Sequence, residues 1–220
     1  MSDFLCLVDH LIERARRLVG SFQFIPALEL LKDVEAFPLS KLRAEEVQCL
    51  LGEIYLSLKR YRRAHGHFRK AVRLAPRTAR YRHLLGICVA SHPHGRLSHA
   101  LKHFRHSMRL APHYPASQAE AGLLNIRLGR VRTGLTWLRQ AAARDVRLVE
   151  KLARGYCELG RPDEAQRAVQ TAQFSHPDCP KLHQLYCDLQ TRRLRGQQAT
   201  LQADQDSAPV FLPFLRLRRG

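Results

Sequence analysis

The sequence predicts an all-α fold: a right-handed α-solenoid of about five helix-turn-helix repeats, followed by a C-terminal capping helix and a short tail. Apolar residues recur at helical spacing in successive pairs of stretches, and a short polar break separates the members of each pair. A small residue opens the second stretch of each pair, and these residues lie 37, 36, 34 and 31 positions apart. Such a period indicates stacked units, because one helix hairpin cannot bury both of its faces. The small residues are Ala27, Ala64, Ala100, Gly134 and Ala165.

Residues 45–78 form the most regular unit. Its two apolar stripes are Leu51, Ile54 and Tyr55, then Ala64, Phe68, Ala71 and Val72. Gly52 and Ala64 carry almost no side chain, so the backbones of the paired helices can approach closely. Pro76 cannot continue a helix and biases Ala75 away from the helical region, which ends the second helix. This unit is therefore predicted to be an antiparallel helix hairpin.

The order L-G-x2-Y-x8-A-x3-F-x2-A-x4-P in this unit resembles the tetratricopeptide repeat family. One position departs from the family pattern, because Gln48 stands where a large apolar residue is usual. The resemblance extends over residues 8–195 and is strongest over residues 45–114. It implies a scaffold protein in which the first helix of each repeat lines a concave groove that holds a peptide segment.

The same pattern divides the chain into seven predicted segments. They are a degenerate repeat at 1–44, repeats at 45–78 and 79–114, a degenerate repeat at 115–145, a repeat at 146–179, a capping helix at 180–196, and a flexible linker with an apolar and basic tail at 197–220. The tail is either a bare extension or a short extended segment docked on the array's own surface, and docking is favoured because its apolar residues would otherwise form an exposed patch.

Composition points to a reduced, cytoplasmic protein. The six cysteines include no C-x-x-C pair, and most fall on apolar helical stripes, so we expect reduced core thiols. The N-terminal residues carry charge throughout and do not resemble a signal peptide. No segment approaches the run of about 18 apolar residues that a membrane span needs.

Motifs for catalysis are missing from the sequence, which contains no G-x-S-x-G, H-E-x-x-H, phosphate-binding loop or dinucleotide fingerprint. We therefore expect no enzyme activity and no cofactor. His99, His103 and His106 share one helical face, a spacing that could hold zinc. No carboxylate is near and several cations surround them, so no metal site is predicted. Trp137, the only tryptophan, is expected to pack between repeats.

By the family resemblance, the groove would be lined by residues of the first helices. The candidate residues are Glu46, Glu53, Arg80, His83, Arg127, Arg147, Glu150 and Arg154. One subfamily grips the carboxylate ends of chaperone tails with Lys and Asn on these helices. Here Cys49 and Glu53 occupy those places, and Glu53 would repel a carboxylate, so this kind of partner is not expected.

A basic stretch covers residues 54–119, which contain fourteen Lys or Arg, nine of the twelve His and no Asp or Glu. The basic face proposed within it consists of Arg62, Arg63, Arg69, Lys70 and Arg73. Two functions remain open. The leading one is a non-enzymatic adaptor that binds a protein segment, with the net charge of +18 favouring an acidic partner. The alternative is binding of nucleic acid or another polyanion through the basic stretch. The residues do not indicate an oligomeric state.

Overall fold

The computed structural model describes residues 2–191, which are helical and contain no β-strand. The helices are α1 Ser2–Gly20, α2 Phe24–Glu35, α3 Lys41–Ser57, α4 Tyr61–Leu74, α5 Ala79–Ser91, α6 Leu97–Leu110, α7 Pro115–Arg127, α8 Val131–Arg144, a 3-10 turn Val146–Leu148, α9 Val149–Glu158 and α10 Pro162–Ser175. A further helix, α11, covers residues 180–191 up to the last described residue. The predicted linker and tail lie outside the described residues. The predicted all-α solenoid of helix-turn-helix repeats is confirmed.

The chain divides into two units, residues 1–155 and residues 156–220. In the first unit each odd-numbered helix packs on the even-numbered helix that follows, from α1 with α2 to α7 with α8. Each of α2, α4 and α6 also contacts the next odd-numbered helix. This arrangement places the first helices α1, α3 and α5 next to one another, so their side chains can combine into one surface.

Four of the turns inside the helix pairs share one geometry. After α1, α3, α7 and α9, one residue adopts the left-handed conformation: Phe22 (φ 60°), Lys59 (φ 57°), Gly129 (φ 78°) and Gly160 (φ 69°). The next amide donates back to the carbonyl five residues earlier, as from Arg60 to Tyr55 at 2.8 Å. This is the Schellman motif, which satisfies carbonyls that the end of a helix leaves without partners.

The turn between α5 and α6 is built differently. It is longer, and the Gly95 amide donates to the carbonyl of His92 at 2.8 Å. A Cβ atom at Gly95 would lie 1.9 Å from the carbonyl oxygen of Val89, so no other residue fits without moving the backbone. This longer loop therefore requires glycine at position 95.

The close approach predicted from Gly52 is present. A Cβ atom at Gly52 would lie 2.6 Å from the ring of Phe68, and one at Gly86 would lie 2.8 Å from the ring of Phe104. Both phenylalanines are fully buried. The glycine therefore admits the aromatic ring of the partner helix against the backbone in two successive repeats.

Gln48, the departure from the family pattern, is buried and joins two neighbouring helices. Its side-chain amide donates to Oε1 of Glu35 on α2 at 2.8 Å, and its carbonyl oxygen lies 2.9 Å from Nδ1 of His67 on α4. Because an amide oxygen only accepts, His67 carries its proton on Nδ1. A hydrogen-bonded trio thus stands at the position where the family pattern has a large apolar side chain.

The cysteines are only partly as expected. Cys49 and Cys88 are buried, whereas Cys6, Cys157 and Cys187 are exposed and Cys179 is half-buried. The prediction that most cysteines are core residues is wrong, because an apolar stripe at the edge of a helix pair can still face solvent.

No helix in the described range 2–191 combines the length and the apolar character needed to cross a lipid bilayer.

Candidate functional site

A row of charged pairs links first helices of the first unit in three places, α1 with α3, α3 with α5, and α7 with α9. Arg80 Nη2 on α5 donates to Glu53 Oε1 on α3 at 2.8 Å. The Glu53 side chain is 22% exposed and that of Arg80 is 60% exposed, so the pair lies at the surface with the carboxylate on its inner side. Two residues that the family resemblance places in the groove are therefore in direct contact.

The buried neighbour of this pair is Cys49, whose thiol donates to Glu53 Oε1 at 3.6 Å. Burial and the adjacent Glu53 carboxylate raise the pKa of Cys49 to about 12. The thiol therefore stays protonated and acts as a donor that orients the carboxylate, and it is not a nucleophile. Glu53 thus accepts hydrogen bonds from both sides.

Two further pairs extend the row. Glu46 on α3 accepts from Arg16 on α1, and Glu120 on α7 accepts from Lys151 on α9. Among the predicted groove residues Glu46 is therefore already paired within the fold. Glu120 and Lys151 were not predicted from the sequence, because neither position follows the groove spacing that the family resemblance supplies.

His83, a predicted groove residue, is 6% exposed and packs inside the first unit. Its ring centroid lies 5.5 Å from that of Phe104 and 5.2 Å from that of Tyr114. Burial, followed by smaller opposing contributions from Glu120 and Lys151, lowers the pKa of His83 to about 4. The ring is therefore neutral at physiological pH. It lies beneath the surface formed by the first helices and contributes little to that surface.

A hydrogen-bond chain fixes the His83 tautomer. The Ser107 hydroxyl donates to the carbonyl of Ala79 at 2.8 Å, so it accepts from the Ser117 hydroxyl at 2.8 Å. The Ser117 oxygen must in turn accept from His83 Nδ1–H at 3.0 Å. This chain joins α5, α6 and α7. Sequence reasoning missed both serines, since nothing in their spacing marks them as partners of His83.

The remaining predicted groove residues lie at the C-terminal end of the first unit. Arg127, Arg147, Glu150 and Arg154 are all exposed. The guanidinium of Arg147 donates to both carboxylate oxygens of Asp145 at 3.0 Å, within the 3-10 turn. This bidentate pair lowers the pKa of Asp145 and holds Arg147 on its own turn.

The predicted basic face is a row of exposed side chains on α4. All five of its residues are exposed, and α4 has no acidic residue. Arg63 lies over the ring of Tyr55 at 5.7 Å, and Lys70 lies 3.8 Å from Glu35. Its other members, Arg62, Arg69 and Arg73, are exposed cations that can meet an anionic surface.

A separate cavity of about 800 Å³ opens between α5, α6 and α8. It is lined by Arg82, Lys102, His103, Arg105, His106, Met108, Arg109 and Trp137. Burial, and then the nearby Arg82 and neighbouring histidines, lower the pKa of His103. In the described part of the chain, no three His, Cys, Asp or Glu side chains come together to hold a metal ion. His103 and His106 instead face an electropositive space.

A sequence model of the tetratricopeptide repeat matches residues 45–78. Among solved structures, the chain is similar to a thermophilic TPR protein of Thermus thermophilus, with 21% identity and a TM-score of 0.70 over 84% of this chain and 99% of the other. It is also similar to YrrB, described as a TPR protein with an unusual peptide-binding site, with 17% identity and a TM-score of 0.54 over 82% of this chain and 90% of that one. MamA matches with 18% identity and a TM-score of 0.57 over 76% and 96% of the two chains.

No curated protein sequence matches this chain significantly. The resemblance drawn from residues 45–78 is confirmed both in sequence and in fold. Proteins of this fold generally serve as scaffolds for protein interactions and not as enzymes.

Proposed function

From a chain that contains a tetratricopeptide repeat and has the fold of tetratricopeptide-repeat proteins, we propose a non-enzymatic adaptor that binds an extended segment of a partner protein. The segment lies along the first-helix surface of residues 1–155. The observation that carries the proposal is the row of pairs that includes Glu53–Arg80 and Glu120–Lys151. These side chains are held by the fold before a partner arrives.

Ion pairs that are already formed in the free protein favour binding of a peptide segment energetically. Binding costs less free energy when the receptor side chains already have their bound geometry, because they do not have to be ordered by the partner. A surface with alternating carboxylates and cations also fixes the register of a segment, because a shifted segment meets like charges. Arg80 keeps 60% of its side chain exposed while bound to Glu53, so it can still donate to a partner's carbonyl or carboxylate.

The partner is proposed to be acidic and the location cytoplasmic. The absence of Asp and Glu over residues 54–119 supports the first point, since a surface of one sign attracts the opposite sign from a distance. The six cysteines, none of which forms a disulfide, support the second, because cytosolic proteins keep their thiols reduced.

A display library of extended peptides, selected on the full chain and followed by calorimetry, tests the proposal. We expect selected peptides to lose about tenfold or more in affinity for Glu53→Lys and for Arg80→Glu, which reverse the central pair. The matched control is Arg73→Glu, a charge reversal on α4 that should leave affinity within about twofold. Peptides that bind equally well to all three variants would reject the first-helix surface as the binding site.

A second candidate function is binding of nucleic acid. The observation in its favour is the exposed basic face of α4, whose cations are matched by no acidic residue on that helix. Clustered exposed cations bind phosphates without regard to sequence. Aromatic side chains suitable for base stacking are few on this helix, since Phe68 is fully buried.

A further inference from the structure

Three repeats contain an equivalent three-residue corner. Its first residue stands on the first helix of the repeat, four positions before the glycine of that helix (Gly52, Gly86 or Gly122). Its other two residues stand on the second helix, three and six positions after the small residue that opens that helix (Ala64, Ala100 or Gly134). The corners are Gln48, His67 and Lys70, then Arg82, His103 and His106, then Gln118, Trp137 and Gln140. Because these residues stand at equivalent positions of the repeat pattern, the contacts in one corner indicate what another corner could hold.

The first corner is filled by a carboxylate from the preceding helix. Glu35 Oε1 accepts from Gln48 at 2.8 Å and lies 3.8 Å from Lys70 Nζ, while His67 donates to the other end of Gln48. One anionic group thus satisfies polar and cationic side chains from two helices. The third corner is closed without an anion, since Gln118 donates to Gln140 at 2.6 Å.

The second corner has cationic or titratable side chains but no carboxylate. Val72 occupies the position that corresponds to Glu35, eight residues after the small residue of its helix. Arg82 Nε is buried and has no hydrogen-bond partner among the described residues. A buried donor without an acceptor is costly, so this corner is suited to an anion supplied from outside the chain.

The space around the second corner is the cavity of about 800 Å³, which is within the range of small-molecule sites. Lys102, Arg105 and Arg109 stand on α6 at positions i, i+3 and i+7, a row about 10 Å long. Such a row can contact more than one phosphate. Met108 of the same helix and Trp137 of α8 give the cavity an apolar, partly aromatic lining beside these cations.

We propose that this cavity binds a nucleoside di- or triphosphate. The phosphates bind Arg82, Lys102 and the other cations of α6, and the planar base packs on Trp137. Arginine forks match phosphate oxygens in pairs, and an indole ring gives a flat surface for a base. The site is distinct from the first-helix surface and from the basic face of α4.

Titration of the full chain with ADP tests the proposal, with Trp137 as the reporter because it is the only tryptophan. At about 150 mM salt, where surface charges are well screened, we expect a saturable change in tryptophan emission. Arg82→Gln and Lys102→Gln should each weaken binding about tenfold, as loss of a charge-assisted hydrogen bond does. Lys102 is exposed, so its variant tests the site even if Arg82→Gln perturbs folding.

The matched control is Arg73→Gln, which removes the same charge from α4 outside the cavity and should leave the affinity for ADP unchanged. Adenosine should not bind, and pyrophosphate should bind more weakly than ADP and with a smaller emission change. The proposal is overturned if ADP gives no saturable change, or if Arg73→Gln weakens binding as much as Lys102→Gln does. Pyrophosphate or hexaglutamate binding as tightly as ADP would also overturn the nucleotide assignment.

Discussion

At the scale of single residues, burial among neighbouring helices lowers the pKa of His83 to about 4. His83 is the first donor of a hydrogen-bond chain that runs through Ser117 and Ser107 to the Ala79 carbonyl of α5. Protonating the ring would place a charge in a site built for a neutral imidazole. His83 therefore couples the packing of three helices to pH.

The pH dependence of folding follows from this burial. The folded pKa of His83 is about 4, below the ordinary value of 6.5, so between these values the unfolded chain binds the extra proton. The stabilisation is complete above pH 6.5 and is lost as pH falls towards 4, by at most about 3 kcal/mol. Urea unfolding at several pH values across this window measures it.

The variant His83→Gln keeps a donor to Ser117 but does not titrate. We expect lower stability than the parent at pH 7 and a flatter dependence on pH between 6.5 and 4. His10→Gln, at an exposed position of α1, is the control and should retain the parent's slope. If His83→Gln shows the same slope as the parent, His83 is not the group responsible.

At the scale of the helix pair, the close contact between the two helices depends on glycine in the first helix. Gly52 and Gly86 admit the rings of Phe68 and Phe104 against the backbone. Turns with a left-handed residue then reverse the chain within three residues, as at Lys59 between α3 and α4. The glycine–ring contact and the left-handed turn together explain why these helix pairs are tight antiparallel hairpins.

Two glycine substitutions in one helix pair test this account. Gly52→Ala should destabilise the chain by about 1–3 kcal/mol, because the new methyl group would overlap the Phe68 ring at 2.6 Å. Gly66→Ala, on the exposed side of α4 with nothing within 4 Å, should instead stabilise it by up to about 1 kcal/mol through helix propensity. Denaturant midpoints measure both changes. Equal effects of the two substitutions would show that the ring contact does not limit packing.

At the scale of the whole molecule, charge is distributed unevenly along the sequence. The acidic partners of the first-helix pairs, Glu46, Glu53 and Glu120, flank a stretch that has no acidic residue from 54 to 119. Mixed charge therefore lies along the proposed peptide surface, while α4 presents one sign. This difference predicts different responses of the two surfaces to salt.

A labelled RNA oligonucleotide titrated across a salt series separates the two candidate functions. We expect RNA bound at low salt to be released near 150 mM, because a few phosphate contacts give only a weak affinity, and that affinity falls further as salt rises. This weak binding should respond to Arg62→Gln and Arg69→Gln but not to Glu53→Lys. Micromolar affinity retained at about 150 mM, and lowered by the α4 variants, would favour the polyanion function over the adaptor.

The candidate sites were only partly predictable from residues. The family resemblance predicted that Glu53 and Arg80 lie on one surface, and they form an ion pair. The same resemblance placed His83 on that surface, but the structure buries it against Phe104 and Tyr114. Spacing along one helix defines a face, whereas burial depends on the neighbouring helix that covers it.

The sequence by itself determined the all-α class, the helix pairs and the glycine contacts, because helical periodicity and the lack of a side chain are local properties. Only the tertiary structure decided which polar groups meet. The Glu35 carboxylate in the first corner and the His83 chain each join residues from two or three helices, whereas Arg82 Nε in the second corner is buried without an acceptor. Their proximity depends on how successive hairpins stack, which no spacing within one hairpin encodes.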